Sequence, residues 1–202
     1  MLRHQFISLT FLLLTHGAGS NRNAPLLVAI AERFRQADVE VLRVDLSFRL
    51  ERPHGPPRPG DAVHDRKGLR EQILKIREKK PERVWIGGHS YGGRQSSILA
   101  AEAPELVDAL LLVSYPLHPP RKPAELRTAH FPNLQTPALF VHGSRDPFAS
   151  TGELESAIAL IPAHVNLLEI EGAGHDLGRN HSEVAARITG AFLEDSQLLR
   201  KA

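Results

Sequence analysis

The sequence predicts an α/β fold, and three observations carry that prediction. Six short apolar runs recur along the chain, helix-period segments separate them, and some runs are continuously apolar while others carry charge. Strands alternating with helices imply a mostly parallel sheet with helices on both faces, a three-layer sandwich.

The apolar runs span residues 9–15, 39–44, 84–88, 109–113, 138–142 and 165–170. Each is short enough to be a strand. Helical spacing appears in Leu27, Ile30, Ala31 and Phe34, in Leu69, Ile73 and Ile76, and in Leu154, Ala157, Ile158 and Ile161. Ser150 and Glu153 have capping-box spacing at the start of the last of these, and Val184, Ile188 and Ala191 mark a C-terminal helix. Strands buried on both faces should be apolar throughout, whereas edge strands tolerate charge. The second run holds Glu40 and Arg43, and the sixth holds Asn166 and Glu169. Placing both at the edges gives the spatial order 2-1-3-4-5-6. In such a sheet, ligands bind at the carboxyl ends of the strands where the order reverses, between strands one and three.

The proline-rich stretches 47–61 and 114–136 read as irregular surface loops with no core of their own. Neither is long enough to be a cap domain, so residues 1–202 are expected to form a single domain. Near the start, Arg3 and the apolar run 6–14 imitate the opening of a signal peptide. Ser8 and Thr10 interrupt that run and no small-residue cleavage site follows, so the segment reads as the first strand and the protein as cytoplasmic. No stretch approaches the length of a membrane span, and no membrane partner is expected.

Composition narrows the chemistry. The formal net charge is +2 and the basic residues are scattered, which argues against nucleic acid as a partner. The absence of cysteine excludes disulfides, thiolate metal sites and a cysteine nucleophile. The 11 histidines show no metal-ligand spacing, so no metal site is expected.

One stretch remains to be explained. In VWIGGHSYGG, residues Gly88, Ser90 and Gly92 form G-x-S-x-G between a strand and a helical segment, the context of a nucleophile elbow. The glycines admit close backbone approach, and the turn exposes Ser90 near a helix N-terminus. A serine hydroxyl needs a base and a carboxylate to orient that base. His175 in EGAGHDL and Asp146 in HGSRDPF follow the sixth and fifth strands, giving the chain order Ser90, Asp146, His175. For an oxyanion hole, the backbone N–H of Tyr91 is one donor. The turn His16-Gly17-Ala18 after the first strand supplies the other, through the Ala18 N–H. The rival reading of this turn as a dinucleotide fingerprint fails because Arg22 stands where its third glycine should be. Arg94 could reach a carboxylate substrate, but pairing with a nearby acid is the expectation favoured here. His181 and Asp176 read as structural.

The set THGAG, GGHSYGGR, HGSRDPF and GAGHD resembles the α/β-hydrolase fold, in particular its small, lidless bacterial members related to dienelactone hydrolases. The resemblance spans nearly the whole chain. It implies a reduced fold without a cap domain, with Ser90 as nucleophile, Asp146 as orienting acid, His175 as general base, and Ala18 and Tyr91 as oxyanion donors. The chain departs from the pattern in lacking the opening antiparallel strand pair and in having serine where dienelactone hydrolases have cysteine. The expected activity is hydrolysis of small esters or thioesters through an acyl-serine intermediate, with a small-molecule substrate and no cofactor. A peptidase using the same machinery and a non-catalytic binding protein are the alternatives. None of these motifs encodes an oligomeric state.

Overall fold

The computed structural model describes residues 9–119 and 121–199, so the first residues of the run 6–14 and both ends of the expected domain lie outside the described residues. Its strands are β1 (Thr10–Thr15), β2 (Glu40–Val44), β3 (Arg83–His89), β4 (Ala109–Val113), β5 (Ala138–Gly143) and β6 (Val165–Ile170). They form one six-stranded sheet in the order β2-β1-β3-β4-β5-β6. Every pairing is parallel, where a mostly parallel sheet was expected. The charge-bearing strands β2 and β6 occupy the edges, because a central strand has no water-facing side for Glu40 or Glu169.

The helices are α1 (Pro25–Gln36), α2 (Ser47–Glu51), α3 (Asp61–Arg77), α4 (Tyr91–Glu102), α5 (Thr151–Ile158) and α6 (His181–Glu194). Alternation along each strand sends side chains into two cores. On one face Leu13, Ile86, Leu110, Leu112 and Phe140 pack with Leu69, Ile73 and Ile76 of α3, Leu99 of α4 and Leu154 of α5. On the other, Leu12, Leu14, Trp85, Leu111, Val113 and Val141 pack with Ile30 and Phe34 of α1 and Ile188 and Phe192 of α6. The helix starts follow local chemistry: Pro25 opens α1, and the expected capping box of Ser150 and Glu153 is formed on α5.

Two expectations about the loops need correction. Stretch 47–61 is not irregular throughout, since α2 begins it: Phe48 is buried, and its N–H donates to the Asp65 carboxylate of α3 at 2.9 Å. Among the described residues, stretch 114–136 contains a single short 3-10 turn, Phe131–Asn133, and it is a surface loop only in part: residues 121–126 are exposed while other residues are anchored in the core. Tyr115, Leu117, Phe131 and Leu134 are fully buried in the first core, and the Tyr115, Phe131 and Phe140 rings meet there at 5.4–6.1 Å between centroids. Apolar residues spaced without a helical or strand period can still be anchors for an irregular chain.

The second core is centred on Phe192, whose ring meets Trp85 at 5.0 Å and Phe34 at 5.6 Å. Phe192→Ala should therefore cost about 3–5 kcal/mol. Equilibrium urea unfolding of the variant against the parent measures that loss.

Candidate active site

Ser90 lies between the end of β3 and the start of α4 with φ 52° and ψ −117°. A non-glycine residue at positive φ is strained and persists only when its surroundings over-determine it. Here the Ser90 N–H donates to the Val113 carbonyl of β4 at 2.8 Å. The two motif glycines supply the rest. A β-carbon at Gly88 would lie 2.5 Å from the Thr15 carbonyl oxygen, and one at Gly92 would lie 2.5 Å from that of His16. Both distances are prohibitive, so the end of β1 can approach the turn only if these side chains are absent.

The three widely separated residues meet at this edge. The His175 Nδ1–H donates to Asp146 Oδ2 at 2.7 Å, and the Ser90 hydroxyl donates to His175 Nε2 at 2.8 Å. An ionised carboxylate can only accept, which puts the imidazole proton on Nδ1 and leaves Nε2 free to take the serine proton. The Asp146 side chain is fully buried, and its other oxygen accepts the Phe148 N–H at 2.9 Å, while His175 remains 23% exposed. The Phe148 ring packs on the imidazole at 4.3 Å between centroids.

Ala18, Ser90 and Tyr91 line one pocket of about 320 Å³, whose walls also include Pro56, Pro57, Pro116 and Phe148. Among the described residues, neither the Ala18 nor the Tyr91 amide N–H donates to a protein acceptor, so both are open to an oxygen bound in the pocket. His16 shapes the turn that carries Ala18. Its Nε2 accepts the Leu46 N–H at 3.1 Å, so its Nδ1–H donates to the Gly17 carbonyl at 2.9 Å, and burial holds its pKa below the ordinary histidine value. Gly17 is itself required, because a β-carbon there would come within 2.9 Å of the His89 ring.

Several supporting residues escaped the sequence reading. Arg49 is buried and donates to the carbonyls of Ala18, Ser20, Arg52, Pro53 and Gly55 at 2.7–3.2 Å, tying the Ala18 turn to the proline-rich loop. The Tyr91 hydroxyl donates to Asp65 Oδ2 at 2.7 Å, binding the start of α4 to α3. Burial raises the pKa of that fully enclosed carboxyl, while its bonds from Phe48 and Tyr91 pull the other way. His89, the variable residue before Ser90, donates from Nε2 to the His175 carbonyl at 2.8 Å. Of these, only His89 and Tyr91 carried a sequence signal, their place inside the motif, and it did not reveal the bonds that their side chains make.

Other singled-out residues have plainer surroundings. Asp176 Oδ1 accepts the Gly178 N–H in a turn, and His181 opens α6 after the Asn180 cap. The expected pairing of Arg94 with an acid is not found: among the described residues it forms no ion pair. No group of three or more histidine, aspartate or glutamate side chains among the described residues is arranged to hold a metal ion. No described helix is long and apolar enough to cross a membrane.

A family model described as an alpha/beta hydrolase domain matches residues 8–189. The chain belongs to that family. Among solved structures, this alpha/beta hydrolase chain is similar to a dienelactone hydrolase from Anabaena variabilis, with 24% identity, covering 93% of this chain and 87% of that one, at a TM-score of 0.72. It is also similar to Est1E from Butyrivibrio proteoclasticus, at 16% identity, 99% and 93% coverage and a TM-score of 0.75. A serine hydrolase without a lid from Xanthomonas campestris is a third, at 14% identity, 91% and 81% coverage and a TM-score of 0.71. At these identities the likeness is one of fold.

Two histidines of this alpha/beta hydrolase chain, His89 beside Ser90 and His130 against the Ser97 hydroxyl at 2.8 Å, are held neutral. Burial, against the opposing bond to the His175 carbonyl, lowers His89 to about 4, and burial together with the charges of Arg94 and Arg66 lowers His130 to about 4. The unfolded chain takes up these protons near the ordinary histidine value of about 6.5, and the folded chain does so only near 4. Stability should therefore be full above about pH 6.5 and decline as pH falls toward about 4. Urea midpoints measured across that range should fall with pH, and His130→Gln should flatten the slope.

Proposed function

We propose that the chain is a serine hydrolase that cleaves small esters or thioesters through an acyl-serine intermediate. The observation that carries this reading is the unbroken relay from Asp146 through His175 to Ser90, with two unsatisfied backbone N–H groups facing the same pocket. In this reading the Ser90 oxygen attacks the substrate carbonyl while His175 Nε2 takes its proton. Asp146 keeps the imidazole oriented and stabilises the imidazolium. The carbonyl oxygen becomes an oxyanion held by the Ala18 and Tyr91 N–H groups, in a site that needs no reorganisation to receive it. His175 then protonates the leaving group, whose bond to the carbonyl carbon breaks. A water molecule repeats the attack on the acyl-enzyme, giving up its proton to His175, and the acid is released as Ser90 recovers its own.

Family membership supports a hydrolase, and the pocket supports a small substrate. Its walls are short proline-rich segments rather than an inserted helical lid, so a long acyl chain would lie against water. Each added methylene then gains less than the ~0.8 kcal/mol of full burial.

Ser90→Ala should lower turnover of p-nitrophenyl acetate by on the order of 10⁴-fold or more and abolish labelling by a fluorophosphonate probe, with an unchanged circular dichroism spectrum. Asp146→Asn should keep the fold and cost on the order of 10³–10⁴-fold through loss of imidazole orientation. Activity like that of the parent in either variant would remove the mechanism.

The pocket leads to an expectation about length. Over a p-nitrophenyl ester series, kcat/KM should be flat or falling beyond acyl chains of about four to six carbons, with no jump at the micelle concentration. A steady climb to long chains would mean that stretch 114–136 closes over the acyl group.

A further inference from the structure

The pocket beside Ser90 is lined by two arginines, Arg94 from α4 and Arg127 from the irregular stretch 114–136. Neither forms an ion pair among the described residues, and the acids around them are engaged elsewhere. Asp65 accepts from Phe48 and Tyr91, Glu102 pairs with Arg66 at 3.3 Å, and Glu125 pairs with Lys122 at 2.8 Å. Arg127 donates to the Pro116 carbonyl, and the Arg94 guanidinium approaches the Tyr115 hydroxyl. Hydrogen bonds to neutral groups do not neutralise either charge. The Arg94 Nε is buried with no hydrogen-bond partner at all.

The two cations also act on one another. Arg127 is held below the ordinary arginine value by burial first and by the Arg94 charge second, and the same charge weighs against protonation of His130. Two partly desolvated like charges without a counter-ion are costly, and an anion entering between them would relieve that cost. A guanidinium offers a planar fork that matches a carboxylate. The space is small, about 320 Å³, and beside Ser90 and Tyr91 its walls include the apolar Pro56, Pro116 and Phe148.

Resting on the serine hydrolase reading above, we infer that Arg94 and Arg127 form a carboxylate-binding subsite, and that the substrate is a short ester or thioester bearing a free carboxylate near its scissile carbonyl. The carboxylate can belong to the acyl part, as in a dicarboxylic acid monoester, or to the leaving group. Bound by the arginines, it would hold the carbonyl against Ser90, so its contribution appears in kcat/KM.

Both versions are tested by paired substrates. One pair is p-nitrophenyl hemiglutarate against p-nitrophenyl butyrate; the other is 4-(acetoxymethyl)benzoate against benzyl acetate. The charged member of one pair should be favoured at least tenfold, which also identifies the side that carries the carboxylate. Arg94→Met and, separately, Arg127→Met should each reduce that preference at least tenfold, and added salt should weaken it. Calorimetric titration of the unmodified protein with glutarate should show binding that either substitution weakens at least tenfold. No preference in either pair, or a preference that both substitutions leave intact, would overturn the subsite. The titration does not involve turnover, which separates the two readings. Ester cleavage without glutarate binding removes the subsite alone, while glutarate binding without cleavage of any ester removes the hydrolase reading alone.

Discussion

The site depends on how closely the backbone at the end of β1 approaches the turn around Ser90. Thr15 and His16 lie against Gly88 and Gly92 at distances that no β-carbon could occupy. Because β1 and β3 are hydrogen-bonded neighbours at the centre of the sheet, this approach is imposed by strand spacing and cannot be relaxed locally. It holds Ser90 at positive φ. It also brings the Ala18 turn beside the Tyr91 amide, so one steric condition positions both the hydroxyl and the two N–H donors.

Around that contact, polar groups are buried in complementary pairs. Asp65 serves Phe48 and Tyr91, and His16 bridges Leu46 and Gly17. Arg49 gathers five backbone carbonyls from two loops. Such networks are rigid when complete and costly when one member is missing. The pocket breaks this rule in one place. Arg94 and Arg127 are charged, partly enclosed and without a counter-ion among the described residues.

The fold and the candidate constellation of Ser90, Asp146 and His175 could be read in the sequence for a shared reason: each was written in short-range patterns. Continuous apolar runs named the central strands, Glu40 and Glu169 named the edges, and Gly88 and Gly92 marked the steric turn. The supports were not legible, because their partners are generic. Arg49 binds backbone carbonyls, which any sequence provides, and Asp65 meets Tyr91 only through the packing of α3 on α4. The five-residue α2 is too short for periodicity to register, and it is held by tertiary contacts of Phe48. Tyr115, Leu117 and Phe131 sit in an aperiodic stretch whose prolines read as surface, yet they fill the core. That Arg94 has no acid to pair with among the described residues is an absence in space, which sequence proximity cannot reveal.

The all-parallel sheet also bears on how the protein is made. Parallel neighbours cannot be joined by a tight hairpin, so each pairing waits for a crossover to be completed. Strand β1 is synthesised first of the six, yet Thr10 pairs with Arg83 and Thr15 with Gly88, and β3 emerges only after three helices and β2. Until then the segment TFLLLT, which is to become almost wholly buried, has only the edge strand β2 to pair with. During synthesis it is an apolar strand with an open side, the kind of surface that associates with other chains. The element that anchors the finished sheet is therefore the one most exposed to aggregation while the chain is still growing.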